Sequence, residues 1–525
     1  MQNNERLLPI SVQSFEILRT NNCIYVDKTA YVYRLVHDVA QFFLSRPRRF
    51  GKSLLLSTLK SYWEGKKELF AGLAIEKLEA DNKDAWKQYP VLYFDLNGED
   101  YSATPVETVL IDHLKTWEEI YGITDNSETL GGRFKNLLVK VSQKTGLRCV
   151  VLVDEYDKPL LDLVDKPEMQ EHNKSVFKGF FSNLKSCNDY IQFVFITGVT
   201  KFHKVSIFSD MNQLKDISLN EDFSGICGIT ESELRESFAP EISAMAQKNK
   251  ITEEECLAQL KQQYDGYRFH HNGVGVYNPF SLINALGDKE FGSYWFETGT
   301  PSFLVKKIRD MDFDLRKFTD HTIYANASLM KDYSADNPDP TPILYQSGYL
   351  TIVDYDPEDC EYTLAFPNNE VKYGFLQNLM PEYFTDCSSG SGIDIFTFRR
   401  YIKKGDLENI RKVLTALFAR ITYTSSNATF EHYFQTVIYL VFTLLGQSAE
   451  CEMHTFSGRI DCRVQTKNFI YLFEFKRDES AEAALQQIND KDYTLPFIAD
   501  SRKLYKIGVS FDSEKRILSD WKVEE

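Results

Sequence analysis

An acid near the start of one apolar strand and a Glu-x-Lys pair at the end of the next constrain this chain more than any other feature. The tract runs Gly458-Arg459-Ile460-Asp461, then Phe473-Glu474-Phe475-Lys476, then Ala484-Leu485-Gln486-Gln487-Ile488. Strand side chains alternate, so Ile470, Leu472, Glu474 and Lys476 share one face and Tyr471, Phe473 and Phe475 the other. A carboxylate and an ammonium at the end of so apolar a strand cost desolvation unless they are paired or metal-bound. Twelve residues separate Asp461 from Glu474. That gap brings two carboxylates and the Lys476 ammonium onto adjacent strands, where they can hold Mg²⁺ against a phosphodiester and activate water. The competing reading is a structural ion pair, and the second acid, Asp461, with Glu431 and Gln487 on flanking helices, argues against it.

Around that tract the pattern predicts a long apolar helix over 430–445, strands near 449–454, 459–465 and 469–475, a helix over 481–490 and a strand over 504–511. A length of 525 residues exceeds one ordinary core and predicts several folding units. The formal charge of −16 counts against the whole surface being a nucleic-acid platform, so any contact with phosphates is local. The nine cysteines are scattered without a C-x-x-C pair or zinc spacing, which supports neither a zinc site nor a disulfide framework. No secretory leader pattern and no apolar run of membrane-spanning length is present, so a soluble, cytoplasmic chain with no membrane partner is expected.

At the other end, residues 41–45 read as a short apolar strand, 46–51 as a loop and 52–63 as a helix with Leu54, Leu55, Leu59 and Tyr62 toward the core. This is the order of a P-loop. Backbone N–H groups from Arg48, Arg49, Phe50 and Gly51 through Lys52, Ser53 and Leu54 would cradle the phosphates of ATP, with Lys52 on the β/γ oxygens and the Ser53 hydroxyl on Mg²⁺. The first glycine of G-x-x-x-x-G-K-[ST] is replaced by Arg46, so the loop must turn without the residue that most easily takes positive φ. Val150 to Val153 is an apolar run ending in Asp154 and Glu155. In that place Asp154 would hold the Mg²⁺ shell and Glu155 polarise the attacking water. A further strand over 191–196 leads to Thr197, which could sit beside the γ-phosphate as a sensor.

Tyr25-Val26-Asp27-Lys28-Thr29, Arg46-Pro47-Arg48-Arg49-Phe50-Gly51-Lys52-Ser53-Leu54, Glu68-Leu69-Phe70 and Val153-Asp154-Glu155-Tyr156-Asp157 together resemble the bacterial AAA-ATPase-like proteins that carry a C-terminal PD-(D/E)XK nuclease domain. The resemblance spans nearly the whole chain. It implies that Arg-Pro-Arg-Arg-Phe-Gly-Lys-Ser stands where an ordinary P-loop stands, and that ATP is bound. It also implies a helix Glu at Glu431 and a Gln-Ile pair at Gln487 in the nuclease site. The adjacent His432 and Gln486 fall off the matching positions. The metal set expected there is Asp461, Glu474 and the Phe475 carbonyl, with Glu431 completing the shell, Lys476 positioning or deprotonating water and Gln487 orienting Lys476 or the phosphate.

The expected architecture is therefore α/β and multidomain. A P-loop AAA-like ATPase domain covers 1–227, a helical lid 228–335, a winged-helix-like module 336–385 and a restriction-endonuclease-like domain 386–525. Thr230 and Glu233 suggest a capping box at the lid's start. Asp386 to Gly392 reads as a linker. The adjacent His270 and His271 do not converge as ligands and read as a loop pair. The expected activity is ATP-regulated, Mg²⁺- or Mn²⁺-dependent cleavage of nucleic acid, DNA before RNA, and self-association is an option. The alternative is a nucleotide-dependent switch or assembly protein, with a role in defence against mobile elements, whose C-terminal domain binds nucleic acid without cutting it.

Overall fold

The computed structural model describes residues 6–124, 127–201, 214–295, 308, 323–331, 339–383, 395–419, 430–445, 449–455, 458–512, 514–515 and 517–525. The chain forms two compact units, Met1–Gly299 with His321–Val371 and Thr300–Asp320 with Lys372–Glu525. The segments expected as lid and wing lie largely within the first. The expected linker, Asp386 to Gly392, lies outside the described residues. Among the described residues no helix is long and apolar enough to cross a membrane.

In the first unit, β1 (Gln41–Ser45), β2 (Val91–Asp95), β3 (Cys149–Asp154), β4 (Ile191–Gly198) and β5 (Leu214–Asp216) form one sheet in the order β2-β3-β4-β1-β5. Every pairing is parallel. β3 and β4 are nearly continuous apolar runs, as strands covered on both faces must be, and β3 is buried along its whole length. Parallel strands deliver all their carboxyl ends to one edge, where loops can build a crevice. The loop after β1, the acids after β3 and the Thr197-Gly198 end of β4 meet at that edge.

The helices Glu231–Ser237, Ala239–Asn249, Glu253–Tyr264 and Pro279–Asp288 share a core of Phe238, Met245, Leu260, Tyr264, Leu282 and others. The capping box is present at Thr230 and Glu233. Asn278 caps the last of these helices through Phe280 and Ser281 N–H, with Pro279 at its first position. His270 and His271 lie in a loop with their rings stacked 4.2 Å apart, and His271 stacks on Tyr355 at 4.3 Å. A short helix, Thr341–Gln346, precedes the hairpin of β7 (Thr351–Asp356) and β8 (Glu361–Ala365). An unforeseen strand, β6 (Ile323–Asn326), pairs with the other side of β8.

The second unit carries β9 (Ala449–Thr455), β10 (Gly458–Gln465), β11 (Phe469–Arg477), β12 (Lys503–Asp512) and β13 (Ile517–Glu524), ordered β13-β12-β11-β10-β9. β11 and β12 are parallel and the other pairs antiparallel. The helix Ala481–Asp490 crosses between β11 and β12, as a parallel pair requires. It packs Ile488 and Leu485 onto Ile470 and Leu472. On the opposite face, Phe442 of the helix Phe430–Leu444 lies 5.0 Å from the ring of Phe473. The strand alternation read from the sequence is thus what separates two packed faces.

Candidate nucleotide and nuclease sites

The loop after β1 turns without its first glycine because the turn is made elsewhere. Left-handed φ falls on Arg49 (67°) and Gly51 (88°), and position 46 needs none. Arg46 instead directs its side chain inward, where it is 1% exposed. Its guanidinium donates to the carbonyls of Ser45 and Ser218, both at 2.8 Å, and Phe223 at 3.1 Å, and lies 3.9 Å over the Phe269 ring. The loop is also held by the Trp295 indole N–H, which donates to the Arg48 carbonyl at 3.1 Å.

Lys52 opens the helix Lys52–Trp63. Its Nζ donates to the carbonyls of Arg46 and Pro47 at 3.0 and 3.1 Å, so the ammonium is folded onto the loop that precedes it. Leu54, expected toward the core, lines the cleft beside Ser53, and Leu56 takes the buried place instead. The first helical turn faces the crevice, so residues there cannot also face the sheet. Phe50 is buried edge-on against Tyr267 and Phe269, so only its backbone is available to a nucleotide.

Asp154, at the end of β3, accepts from the Thr197 hydroxyl at 2.6 Å and from Tyr93 at 3.3 Å. Thr197 therefore orients Asp154, and neither side chain is part of the cleft lining. Glu155 has left-handed φ (50°), which turns it out of the strand direction and into the cleft. Burial pushes its carboxyl above the ordinary range, against the pull of the Lys52 ammonium. Asp157, to which the sequence reading gave no role, is buried and accepts from the Val199 N–H and from the N–H and hydroxyl of Thr200. Tyr156 donates to the Thr200 carbonyl at 2.9 Å. Together they fasten the end of β4 to the acids of β3. Gly198 is required there, because a Cβ would stand 2.6 Å from the Asp157 carboxylate.

These elements enclose a cleft of about 410 Å³ lined by Arg48, Arg49, Lys52, Ser53 and Glu155, among others. The segment Pro9–Gln13 and the helix Pro279–Asp288 supply further walls, and Arg49 lies 4.8 Å over the Phe280 ring. Cations, a helix N-terminus and apolar surface in one cleft suit a nucleotide, whose phosphates need the first two and whose base needs the third.

In the second unit, the last described rung between β10 and β11 pairs Cys462 with Phe473, and Asp461 and Glu474 are the next residues beyond it. The Phe475 N–H donates to Asp461 Oδ2 at 2.8 Å. Glu474 is 2% exposed. The Gln487 amide bridges the set: its Nε2 donates to Glu474 Oε1, and its Oε1 accepts from the Lys476 ammonium. Glu474 Oε2 is buried without a partner. Burial, with the Asp461 carboxylate beside it, pushes the Glu474 carboxyl up to about 8, against the pull of Lys476.

An orphaned carboxylate oxygen next to a second carboxylate fits a hard divalent cation, which takes oxygen ligands. Among the described residues, however, no group of three or more His, Cys, Asp or Glu converges. Glu431 belongs to the helix Phe430–Leu444, but its side chain, like that of His432, lies outside the described residues. Gln486 turns away and donates to Asp490 of its own helix at 2.7 Å.

Gly508, also missed, lets Gln487 reach the set. It stands beside Glu474 in the β11–β12 register, and a Cβ on it would come to 2.2 Å from the Ala481 carbonyl oxygen. Gly508→Ala is expected to push the helix Ala481–Asp490 off the sheet and to destabilise the second unit by roughly 1–3 kcal/mol. Denaturant titration checks this, and an unchanged midpoint would mean that the helix tolerates the displacement.

The sequence matches the family described as Predicted AAA-ATPase over residues 9–208 and the PD-(D/E)XK nuclease superfamily over residues 429–521. A protein of Azotobacter chroococcum mcd 1, named only as an uncharacterized protein in the vnfD 5' region, is 34% identical over 538 aligned positions that cover 99% of each chain. With a parallel sheet bearing a Gly-Lys-Ser loop in one unit and facing carboxylates with a Glu-x-Lys strand in the other, the chain belongs to the bacterial AAA-ATPase-like proteins that carry a C-terminal PD-(D/E)XK nuclease domain.

Proposed function

We propose that the protein is an ATP-regulated, metal-dependent nuclease that cuts DNA in preference to RNA. One observation carries the reading: Glu474 is buried, raised in pKa and left with an unpartnered oxygen beside Asp461, on a chain that also has a P-loop. Such a carboxylate is costly to keep unless a ligand compensates it.

A divalent cation held by Asp461, Glu474 and the Phe475 carbonyl, with Glu431 as a further ligand, would polarise the phosphodiester and lower the pKa of the attacking water. Mg²⁺ suits these oxygen ligands, and Mn²⁺ is a substitute. Lys476 sets a fixed positive charge against the phosphate oxygen as negative charge builds on it. Gln487 holds that ammonium in place. At the other site, Arg48, Arg49 and Lys52 would meet the phosphates, Ser53 would hold the accompanying cation with Asp154 behind the cleft lining as its support, and Glu155 would accept a proton from water.

The test is cleavage of DNA and RNA, with and without ATP, by the parent, Asp461→Ala and Lys52→Ala. Asp461→Ala is expected to lose cleavage while still binding ATP, and Lys52→Ala to lose about 100-fold or more in ATP affinity through the missing charge-assisted contacts. A parent that binds nucleic acid but cuts none of it, under either metal, would overturn the nuclease reading in favour of a nucleotide-dependent switch.

A further inference from the structure

The nucleotide cleft has a mixed lining. Pro9, Ile10, Phe280 and Ile283 are apolar, and Asn97, Glu155, Lys158 and Asp162 are polar or charged. With its base on the apolar residues and its phosphates on the start of the helix Lys52–Trp63, a nucleotide would turn its terminal group toward the remaining polar residues.

Four cationic side chains line this cleft, and three of them come from the loop and helix start: Arg48, Arg49 and Lys52. The fourth, Lys158, comes from a different element, the short helix Lys158–Leu161 that follows the acids of β3. Its amide N–H donates to the Glu155 carbonyl at 3.0 Å, so the two residues belong to one turn. Its ammonium is paired with Asp162, one helical turn on, and the two side chains are only 24% and 26% exposed. The pair thus sits in the cleft wall rather than out in bulk solvent. An ion pair within one short helix is weak, and a terminal phosphate with close to two negative charges competes well against a single carboxylate for the same ammonium.

We propose that Lys158 is a catalytic cation acting in cis on the terminal phosphate of the bound nucleotide, and that Asp162 holds it in reserve until nucleotide arrives. The proposal rests on the nucleotide-site reading above and adds a residue to it. In the reaction, a water oxygen forms a bond to the γ-phosphorus while the bond from that phosphorus to the β,γ-bridging oxygen breaks. The bond's electron pair stays on the departing ADP, and the proton of the water passes to Glu155. Lys158 contributes positive charge to the γ-phosphate oxygens throughout this exchange. Asp162 regains the ammonium once phosphate leaves.

The experiment uses the full chain and measures ATP turnover together with calorimetric affinities for ATPγS and ADP. Lys158→Ala is expected to lower kcat by ~10²–10³-fold, the scale of losing one charge-stabilising group. It should weaken ATPγS about tenfold and leave ADP within about twofold, because ADP lacks the group contacted. Asp162→Asn should act in the opposite direction on ATPγS, tightening it a few fold. Lys158→Arg should restore part of the turnover. A role confined to holding the short helix would instead weaken both nucleotides together. Unchanged turnover with an unchanged ATPγS-to-ADP ratio in Lys158→Ala overturns the proposal while leaving the nucleotide site intact. Failure of the parent chain to bind either nucleotide overturns the site reading itself, and this proposal with it. A parent that binds ATPγS but does not turn ATP over also overturns the catalytic role, whatever the affinity ratio.

Discussion

Glu474→Gln is expected to reduce cleavage by about three orders of magnitude, equivalent to roughly 4 kcal/mol of transition-state stabilisation, and at the same time to stabilise the metal-free protein against alkali. The two effects have one origin. The buried Glu474 carboxyl is raised from near 4.5 to about 8. Between those values the unfolded chain has released the proton that the folded chain still holds, so stability falls as pH rises through the window. The contribution is intact below the ordinary carboxylate range and fully lost above the folded value. An uncharged amide of the same shape removes this dependence. Melting curves in chelator should therefore coincide for the two proteins at about pH 5 and separate by several degrees above about pH 8, with the variant higher. A constant separation across that range would show Glu474 to be ionised in the fold already. Unaltered cleavage would remove it from the chemistry.

Arg46→Gly, which writes the missing first glycine back into G-x-x-x-x-G-K-S, is expected to destabilise the first unit by roughly 3–5 kcal/mol instead of improving the site. The substitution vacates a filled position over Phe269 and strips the Ser218 and Phe223 carbonyls of their donor. Arg46→Lys should recover little, since a single ammonium cannot reproduce a planar fork that reaches several carbonyls. Thermal melting and ATP titration of both variants check the expectation. A glycine variant that melts with the parent and binds ATP more tightly would show the guanidinium to be dispensable.

Arg46 also shows where sequence reading stops. The absence of the glycine was plain at residues 46–53, but its reason lies with Ser218, Phe223 and Phe269, far along the chain. The same division holds in the second unit. Glu474 and Lys476 could be assigned to one face because a strand has a fixed two-residue period. Asp461 could be placed on the neighbouring strand from its spacing. That Gln487 bridges the two depends on how closely a helix approaches the sheet, and Gly508 sets that approach from a strand twenty-one residues further on. In the first unit the apolar runs of β3 and β4 and the cap at Thr230 were legible because each is a local pattern. β6 was not, since its pairing with β8 is decided across the sheet. Leu54 was assigned to the wrong surface because periodicity gives a helix an apolar stripe without saying where a ligand cleft interrupts it.

The amide of Gln487 has a consequence of its own. Lysine and glutamate two residues apart on a strand could neutralise one another directly, and the result would be electrically quiet. An amide inserted between them offers its oxygen to the ammonium and its nitrogen to the Glu474 carboxyl, so each is oriented without being joined to the other. An arriving cation thereby has only the Glu474 proton to displace, with the ammonium already free for a phosphate, whereas a closed lysine–glutamate pair would first have to be pulled apart.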